Sequence, residues 1–286
     1  MLLSLKDLSY VYSKGTPLQT GALKNINLDI EENSFIGLIG HTGSGKSTLI
    51  QHMNGLIKAT SGDVIFEGRS IYEKGYDLKE LRCNVGLVFQ YPEHQLFEET
   101  VFKDVSFGPS NQGLSEEEIK ARVENALRIV GIGEAYWNMS PFELSGGEKR
   151  RVAIAGVMAM QPKVLILDEP TAGLDPKTKN SILSQIKQIH EEVKITVILV
   201  SHSMEDVAEY VDRIIVMNDG SVMYDDEPKK VFSHYKELEK IGLAAPAMTY
   251  IMNKLKENGF DVSTDIITVE EATKEILNCL NKEKQC

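Results

Sequence analysis

Between residues 23 and 30 the chain alternates, with apolar Ile26, Leu28 and Ile30 separated by polar Asn27 and Asp29. A period of two predicts a strand with one buried face. Further on, the apolar positions become short unbroken runs at Phe35 to Ile39, Val85 to Phe89, Val164 to Leu167, Ile195 to Val200 and Ile214 to Met217. Continuous runs predict strands covered on both faces, as in a parallel sheet flanked by helices. Helical spacing lies between them. Ile182, Leu183, Ile186 and Ile189 share one face of a helix expected from about Thr178 to His190. Ser115-Glu-Glu-Glu118 has the form of a capping box and predicts a helix to about Val130; Ser145-Gly-Gly-Glu148 has the same form. Residues 91 to 150 show no strand pattern and read as a helical insertion into an α/β core. After about residue 225 the character changes again. Asp225-Asp-Glu-Pro228 reads as a charged linker, and Thr268-Val-Glu-Glu271 opens a helix with Val269, Ala272, Ile276, Leu277 and Leu280 in one stripe. The expected organisation is an α/β domain over 1–225, its helical part at about 91–160, and a small helical module over 226–286.

The charge balance narrows the partners. A net charge of −11 argues against general nucleic-acid binding, which relies on Lys and Arg to displace counterions. No apolar run reaches the roughly 20 residues of a membrane span, so the chain is not expected to cross a bilayer by itself. The opening MLLSLKDLSY has neither a basic head nor a long apolar run, so no secretory signal is expected. Cys83, Cys279 and Cys286 form no CxxC pair. That spacing gives neither a metal site nor a disulfide framework.

The strongest chemical signal is Gly40-His41-Thr42-Gly43-Ser44-Gly45-Lys46-Ser47, a full GxxxxGK[ST] match. It follows a predicted strand and precedes a predicted helix from Thr48, the context in which such a loop cradles phosphate. The glycines let backbone N–H groups converge on phosphate oxygens, and the helix N-terminus adds its dipole. Lys46 is suited to the outer phosphates and Ser47 to Mg²⁺. Asp168 ends the run Val164 to Leu167, which places its carboxylate at the C-terminal edge of a sheet, where it can order a Mg²⁺ shell. Glu169 follows at once and is placed to polarise a water in line with the γ-phosphate.

A second glycine-rich helix start, Leu144-Ser145-Gly146-Gly147-Glu148, sits about a hundred residues after the first. By themselves these residues allow two readings, a plain helix cap and a second phosphate site. In this order, after a phosphate loop and before the Asp168-Glu169 strand, the chain resembles the ATP-binding cassette (ABC) ATPases. LSGGE resembles their signature motif, with Glu148 where many members have Gln. The resemblance implies that Ser145, Gly146, Gly147 and Glu148 cap the ATP held by a partner cassette in a head-to-tail dimer. It further implies that Gln90 is the glutamine sensing Mg²⁺ and the attacking water, and that His202 contacts the γ-phosphate. Ala172-Gly173-Leu174-Asp175 resembles the loop crossing the dimer interface, departing from the commoner Ser-Ala-Leu-Asp. Tyr12 resembles the aromatic that stacks on adenine, although Tyr10 and Tyr12 also read as plain strand residues. The implied fold is a P-loop α/β domain with a mostly parallel core, an antiparallel β subdomain, a helical signature subdomain and a small C-terminal helical module.

Within that family, FQYPEHQLF (89–97), TAGLDP (171–176) and the tail TVEEATKEIL resemble the ATPases of energy-coupling factor transporters. GTPLQTGAL (15–23) and YPEHQLFEETV (91–101) resemble the second of the two paralogues. The resemblance implies ATP and Mg²⁺ as ligands, hydrolysis driving import of vitamins or related micronutrients, and a peripheral position on the cytoplasmic face of the membrane. It implies three partners: a second, paralogous ATPase, a transmembrane coupling subunit and a substrate-binding membrane subunit. Residues 91–107 are expected to receive the coupling helices, with Glu93, Glu98, Glu99 and Asp104 supplying acidity and Leu96, Phe97 and Phe102 apolar contact. Individual glutamates there also read as solvated surface. The tail reads as a dimerisation module or as a helix packed on its own domain. A conventional ABC transporter motor and a soluble ABC ATPase are the alternative functions.

Overall fold

In the computed structural model, which describes residues 1–283, ten strands form two sheets. They are β1 (Leu3–Tyr12), β2 (Thr20–Ile30), β3 (Phe35–Gly40), β4 (Ser61–Phe66), β5 (Arg69–Ser70), β6 (Val85–Val88), β7 (Val164–Asp168), β8 (Thr196–Val200), β9 (Arg213–Asn218) and β10 (Ser221–Asp226). One sheet is antiparallel, in the order β2-β1-β4-β5; the other has six strands in the order β10-β9-β3-β8-β7-β6. Every pairing of the larger sheet is parallel except β9 with β10.

Five strands of the larger sheet, β3 and β6 to β9, are buried on both faces, as their unbroken apolar runs require. Alternate residues divide between two cores. Phe35, Leu165, Leu167, Val197, Leu199, Ile214 and Val216 face the helical side. Ile36, Leu38, Val164, Ile166, Ile198, Val200, Ile215 and Met217 face the antiparallel sheet, where Leu23, Ile26, Leu28 and Ile30 of β2 cover them.

The helices are α1 (Lys46–Met53), α2 (Leu78–Asn84), α3 (Val101–Asn111), α4 (Glu116–Ile129), α5 (Gly146–Met158), α6 (Pro176–Val193), α7 (Met204–Tyr210), α8 (Pro228–Ser233), α9 (Tyr235–Lys240), α10 (Ala247–Glu257) and α11 (Val269–Glu283). Both capping boxes form, Ser115 with Glu118 on α4 and Ser145 with Glu148 on α5. Each joins two backbone donors that a helix start would leave unpaired.

The expected linker at 225–228 is not a linker. Asp225 and Asp226 end β10, and Pro228 is the first residue of α8, where a proline's missing N–H costs nothing. Val231, Phe232, Leu238, Leu243 and Ala245 then enter the main helical-side core. Only the last stretch has a core of its own, built from Met252, Val262, Ile266, Ala272 and Cys279. Cys286 lies outside the described residues. Among the described residues no helix is long and apolar enough to cross a membrane.

Candidate active site

Register assembles the site. Asp168 of β7 pairs with Val200 of β8, and Val200 pairs with Leu38 of β3. Three adjacent strands therefore end together, and the residues just beyond them, from Gly40 on, Glu169 and His202, project at one sheet edge. Gln90 lies two residues past Val88, the last residue of β6.

The loop after β3 curls tightly before α1. Gly45 caps the helix in the left-handed region, at φ 105°, and an added Cβ would lie 2.7 Å from the Ala22 carbonyl. No other residue satisfies both constraints. A Cβ on Gly40 would meet the Met217 carbonyl at 2.4 Å. His41, Thr42 and Gly43 form the turn, with His41 Nε2 3.1 Å from Asn218 Oδ1. Ser44 is fully buried, and its hydroxyl has no hydrogen-bond partner among the described residues. Lys46 is 6% exposed and donates to the Gly40 carbonyl at 2.6 Å and the His41 carbonyl at 3.1 Å. Burial pushes its pKa down, opposed by the nearby charges of Glu169 and Asp168.

Facing Lys46 is a carboxylate pair. Burial, then the neighbouring Glu169, raises the Asp168 pKa above its ordinary value; Lys46, His202 and the Ser47 hydroxyl act the other way. Glu169 adopts φ 49°, and its N–H donates to Val200 O at 3.0 Å. That posture directs its side chain to two of the expected residues. Gln90 Nε2 donates to Glu169 Oε2 at 3.0 Å, and His202 Nε2 lies 2.7 Å from Glu169 Oε1. Gln90, Glu169 and His202 are thus joined although 79 and 33 residues separate them from Glu169 (169 − 90; 202 − 169).

These groups fit a magnesium–nucleotide. The donor set is hard oxygen, the Ser47 hydroxyl and the neighbouring Asp168 carboxylate. Hard oxygen is what Mg²⁺ takes, and an added cation would relieve two partly buried neighbouring carboxylates. At the adenine end, the Tyr12 hydroxyl is 3.0 Å from Thr48 Oγ1 on α1. Tyr10 meets the Tyr12 ring edge-on at 4.8 Å. Tyr12 remains partly exposed, leaving ring face for stacking.

At the second glycine-rich start, the Ser145 hydroxyl donates to Glu148 Oε2 at 2.6 Å, and the Glu148 N–H donates back at 3.4 Å. The helix cap is therefore real. Gly146 leaves open space where a side chain would stand, and a Cβ on Gly147 would lie 2.8 Å from Thr178 Cγ2 of α6. The starts of α5 and α6 thus adjoin. Asp175 caps α6, accepting from the Lys177 and Thr178 N–H groups at 3.0 and 3.1 Å.

The segment 91–107 differs in detail from the acidic groove expected. Glu93 is taken by Arg150 in a two-pronged ion pair at 3.1 and 3.2 Å. Leu96 belongs to the main core. Asp104 accepts from the Phe97 and Glu98 N–H groups, and Glu99 pairs with Lys103. Phe102 packs beside Trp137. Phe97 stays 57% exposed and meets Phe107, 52% exposed, edge-on at 5.1 Å. The two rings sit in a groove of about 560 Å³ whose far wall includes Lys79, Arg82, Gly156 and Met160. The groove is aromatic with basic neighbours. Sequence reasoning missed Arg150, although it lies three and four residues before Ala153 and Ile154 on the buried face of α5. It missed the far wall because α2 and α5 reach the groove only through tertiary packing.

A family model described as ABC transporter matches residues 23–172, just over half of the chain. The chain belongs to the ABC transporter family. Within that family its relatives are consistent. It is 55% identical, over 99% of each chain, to the energy-coupling factor transporter ATP-binding protein EcfA2 of Caldanaerobacter subterraneus subsp. tengcongensis. It is 56% identical, over 98% of each chain, to that of Clostridium tetani. Among solved structures, cbiO1 from Clostridium perfringens, described as part of the ABC transporter complex cbiONQ, matches with a TM-score of 0.75 and 42% identity over 88% of this chain and 98% of that one. A dimeric structure of MJ0796, described as a bacterial ABC transporter cassette, matches with a TM-score of 0.70 and 33% identity over 79% of this chain and 99% of that one. The chain is an ATP-binding, ATP-hydrolysing ABC cassette of the energy-coupling factor group.

Proposed function

We propose that this ABC cassette is the motor of an importer for vitamins or related micronutrients, bound at the cytoplasmic face of the membrane. It would act beside a paralogous ATPase, a transmembrane coupling subunit and a substrate-binding membrane subunit. The observation that carries the reading is the junction of Gln90, Glu169 and His202 beside Lys46, in a chain this similar to EcfA2 along its whole length.

The loop 40–48 binds the phosphates through its backbone N–H groups, and Lys46 supplies the positive charge. Ser47, Asp168 and Gln90 would hold Mg²⁺, which when bound neutralises phosphate charge. Glu169 takes the proton of the attacking water while Gln90 and His202 hold its carboxylate in place. The γ-phosphoryl charge is met by Lys46 and by His202, whose Nε2 turns from Glu169 to reach it. Ser145, Gly146 and Gly147 offer a helix N-terminus to the nucleotide of the partner cassette. The Phe97–Phe107 groove offers an apolar seat for a coupling helix, so closure of two cassettes becomes motion of the membrane subunits.

Tagged chain captured from detergent-solubilised native membranes should bring down a second ATPase, a coupling subunit and one or more small membrane proteins. Capture of a single dedicated permease would make it the motor of a conventional transporter, and capture of soluble proteins alone would remove transport. In the captured complex, Glu169→Gln should retain ATP while turnover falls roughly 10²–10⁴-fold, the range for losing a general base.

A further inference from the structure

Arg150 is 3% exposed, on the second turn of the signature helix α5, where a buried charge must be fully satisfied. All three guanidinium nitrogens are engaged. Nε and Nη2 donate to the two oxygens of Glu93 at 3.1 and 3.2 Å, and Nη1 donates to the Pro170 carbonyl at 2.9 Å. Glu93 lies three residues after Gln90, in the short 3-10 turn Pro92–Gln95. Pro170 directly follows Glu169. Because Gln90 also donates to Glu169, the contacts close a ring that runs from Gln90 to Glu169, Pro170, Arg150, Glu93 and back along the chain to Gln90.

The ring encloses two strained residues. Tyr91 has φ 56° and Glu169 φ 49°, in the left-handed region that side chains disfavour. Such conformations persist only where the surroundings over-determine them. Arg150 grips the chain two residues after Tyr91 and one residue after Glu169. Beyond the same turn, Leu96 enters the core and Phe97 enters the groove.

We propose that Arg150 is a positioning residue for hydrolysis, clamping the Gln90 segment and the Glu169 strand end to the signature helix. Movement of the groove segment 91–97 or of α5 is thereby transmitted to the Gln90–Glu169 contact. This rests on the hydrolytic role proposed above for Glu169. The planar fork is essential, since it spans a carboxylate and a carbonyl at once, whereas a lysine ammonium offers one point charge.

The test uses the full chain in the complex captured from its membranes, with Arg150→Lys and the milder Glu93→Gln, which keeps the shape and one of the two hydrogen bonds to Arg150 and serves if the lysine variant folds poorly. ATP turnover and amide hydrogen exchange are both measured. For Arg150→Lys, kcat should fall roughly 10- to 100-fold, the scale for slight misplacement of reacting groups. KM for ATP should stay within about twofold, since ground-state binding is untouched. Exchange should rise together in 89–97 and 168–172. In a Gln90→Ala background Arg150→Lys should add little further loss, because both act through one contact. A kcat within about twofold of wild type, losses that multiply with Gln90→Ala, or a KM that rises as kcat falls overturns the proposal. A wild-type complex that hydrolyses no ATP would instead fell the hydrolytic reading. The exchange data would then still decide whether Arg150 ties the two segments.

Discussion

Asp168 shows how much of the site a residue pattern carries and where it stops. A carboxylate closing an apolar strand, read with a phosphate loop, located it at the sheet edge, and the strand register puts it there. The pattern held no information on its energetic state. Its pKa is raised by burial and by Glu169, and the consequence has a definite sign. A carboxylic acid whose pKa rises on folding is bound to more protons in the folded state, so stability falls as pH climbs past the unfolded value, near 3.8. Above the folded pKa the cost is complete. Asp168→Asn should therefore raise the nucleotide-free melting temperature at pH 7 by on the order of a few degrees, with the gain shrinking toward pH 3–4, while Mg²⁺-dependent ATP turnover is lost. Thermal melts across pH check this, and an unchanged or lower melting temperature at pH 7 would contradict it. The pairing of Gln90 and His202 on Glu169 was equally invisible to spacing, and only the resemblance named those two residues. The groove shows the opposite failure. Glu93, Glu98 and Glu99 look like a solvated acidic face, yet Glu93 is claimed by an arginine 57 residues away.

Among elements, the unbroken apolar runs marked five strands of the larger sheet, because burial on both faces leaves no other pattern. The sixth strand, β10, with residues partly or fully exposed, pairs on one side only, and its Asp225-Asp226-Glu227 end imitates a linker. The capping boxes were legible because they are local, and the one on α5 carries a testable consequence. Ser145 hydrogen bonds hold the Glu148 carboxyl below its usual pKa. A depressed acid contributes stability above its unfolded value, about 4.5 here, and that contribution is lost as pH falls through the folded value. Glu148→Gln keeps an acceptor for Ser145 and removes the charge from the helix N-terminus. It should cost about 0.3–1 kcal/mol at neutral pH and low salt. The difference from wild type should shrink below about pH 4.5 and with added salt. Urea unfolding followed from pH 7 downward measures both limbs; a difference that does not change with pH would place the effect in packing.

At the scale of the whole molecule, α11 carries more apolar surface than the described residues cover. The stripe read from sequence splits in two: Ala272 and Cys279 are buried in the small C-terminal core with Ile276 packed against it, while Val269, Leu277 and Leu280 face outward. Ile251 on α10 and Phe260 just after it are exposed as well. A helix packed only on its own domain needs one covered face, and an amphipathic stripe this wide suits a second surface. The small core of α10 and α11 joins the rest of the molecule on its other side, through Tyr250 and Ile267 against the main core and Glu271 paired with Lys229 of α8, which leaves the outward residues for another contact. If a partner cassette covers that face, Leu277→Glu with Leu280→Glu should weaken cassette–cassette association at least about tenfold, since two desolvated leucines are worth a few kcal/mol. The stability of the separate chain should move by no more than about 0.5 kcal/mol, as for other exposed positions. Sedimentation of the chain alone, and of the captured complex, reads the first quantity, and urea unfolding reads the second. Association unchanged in both preparations would leave the stripe as solvated surface. Weakened association with intact folding would place the permanent contact between cassettes at α11, leaving the Ser145 and Asp175 face free to open and close around nucleotide.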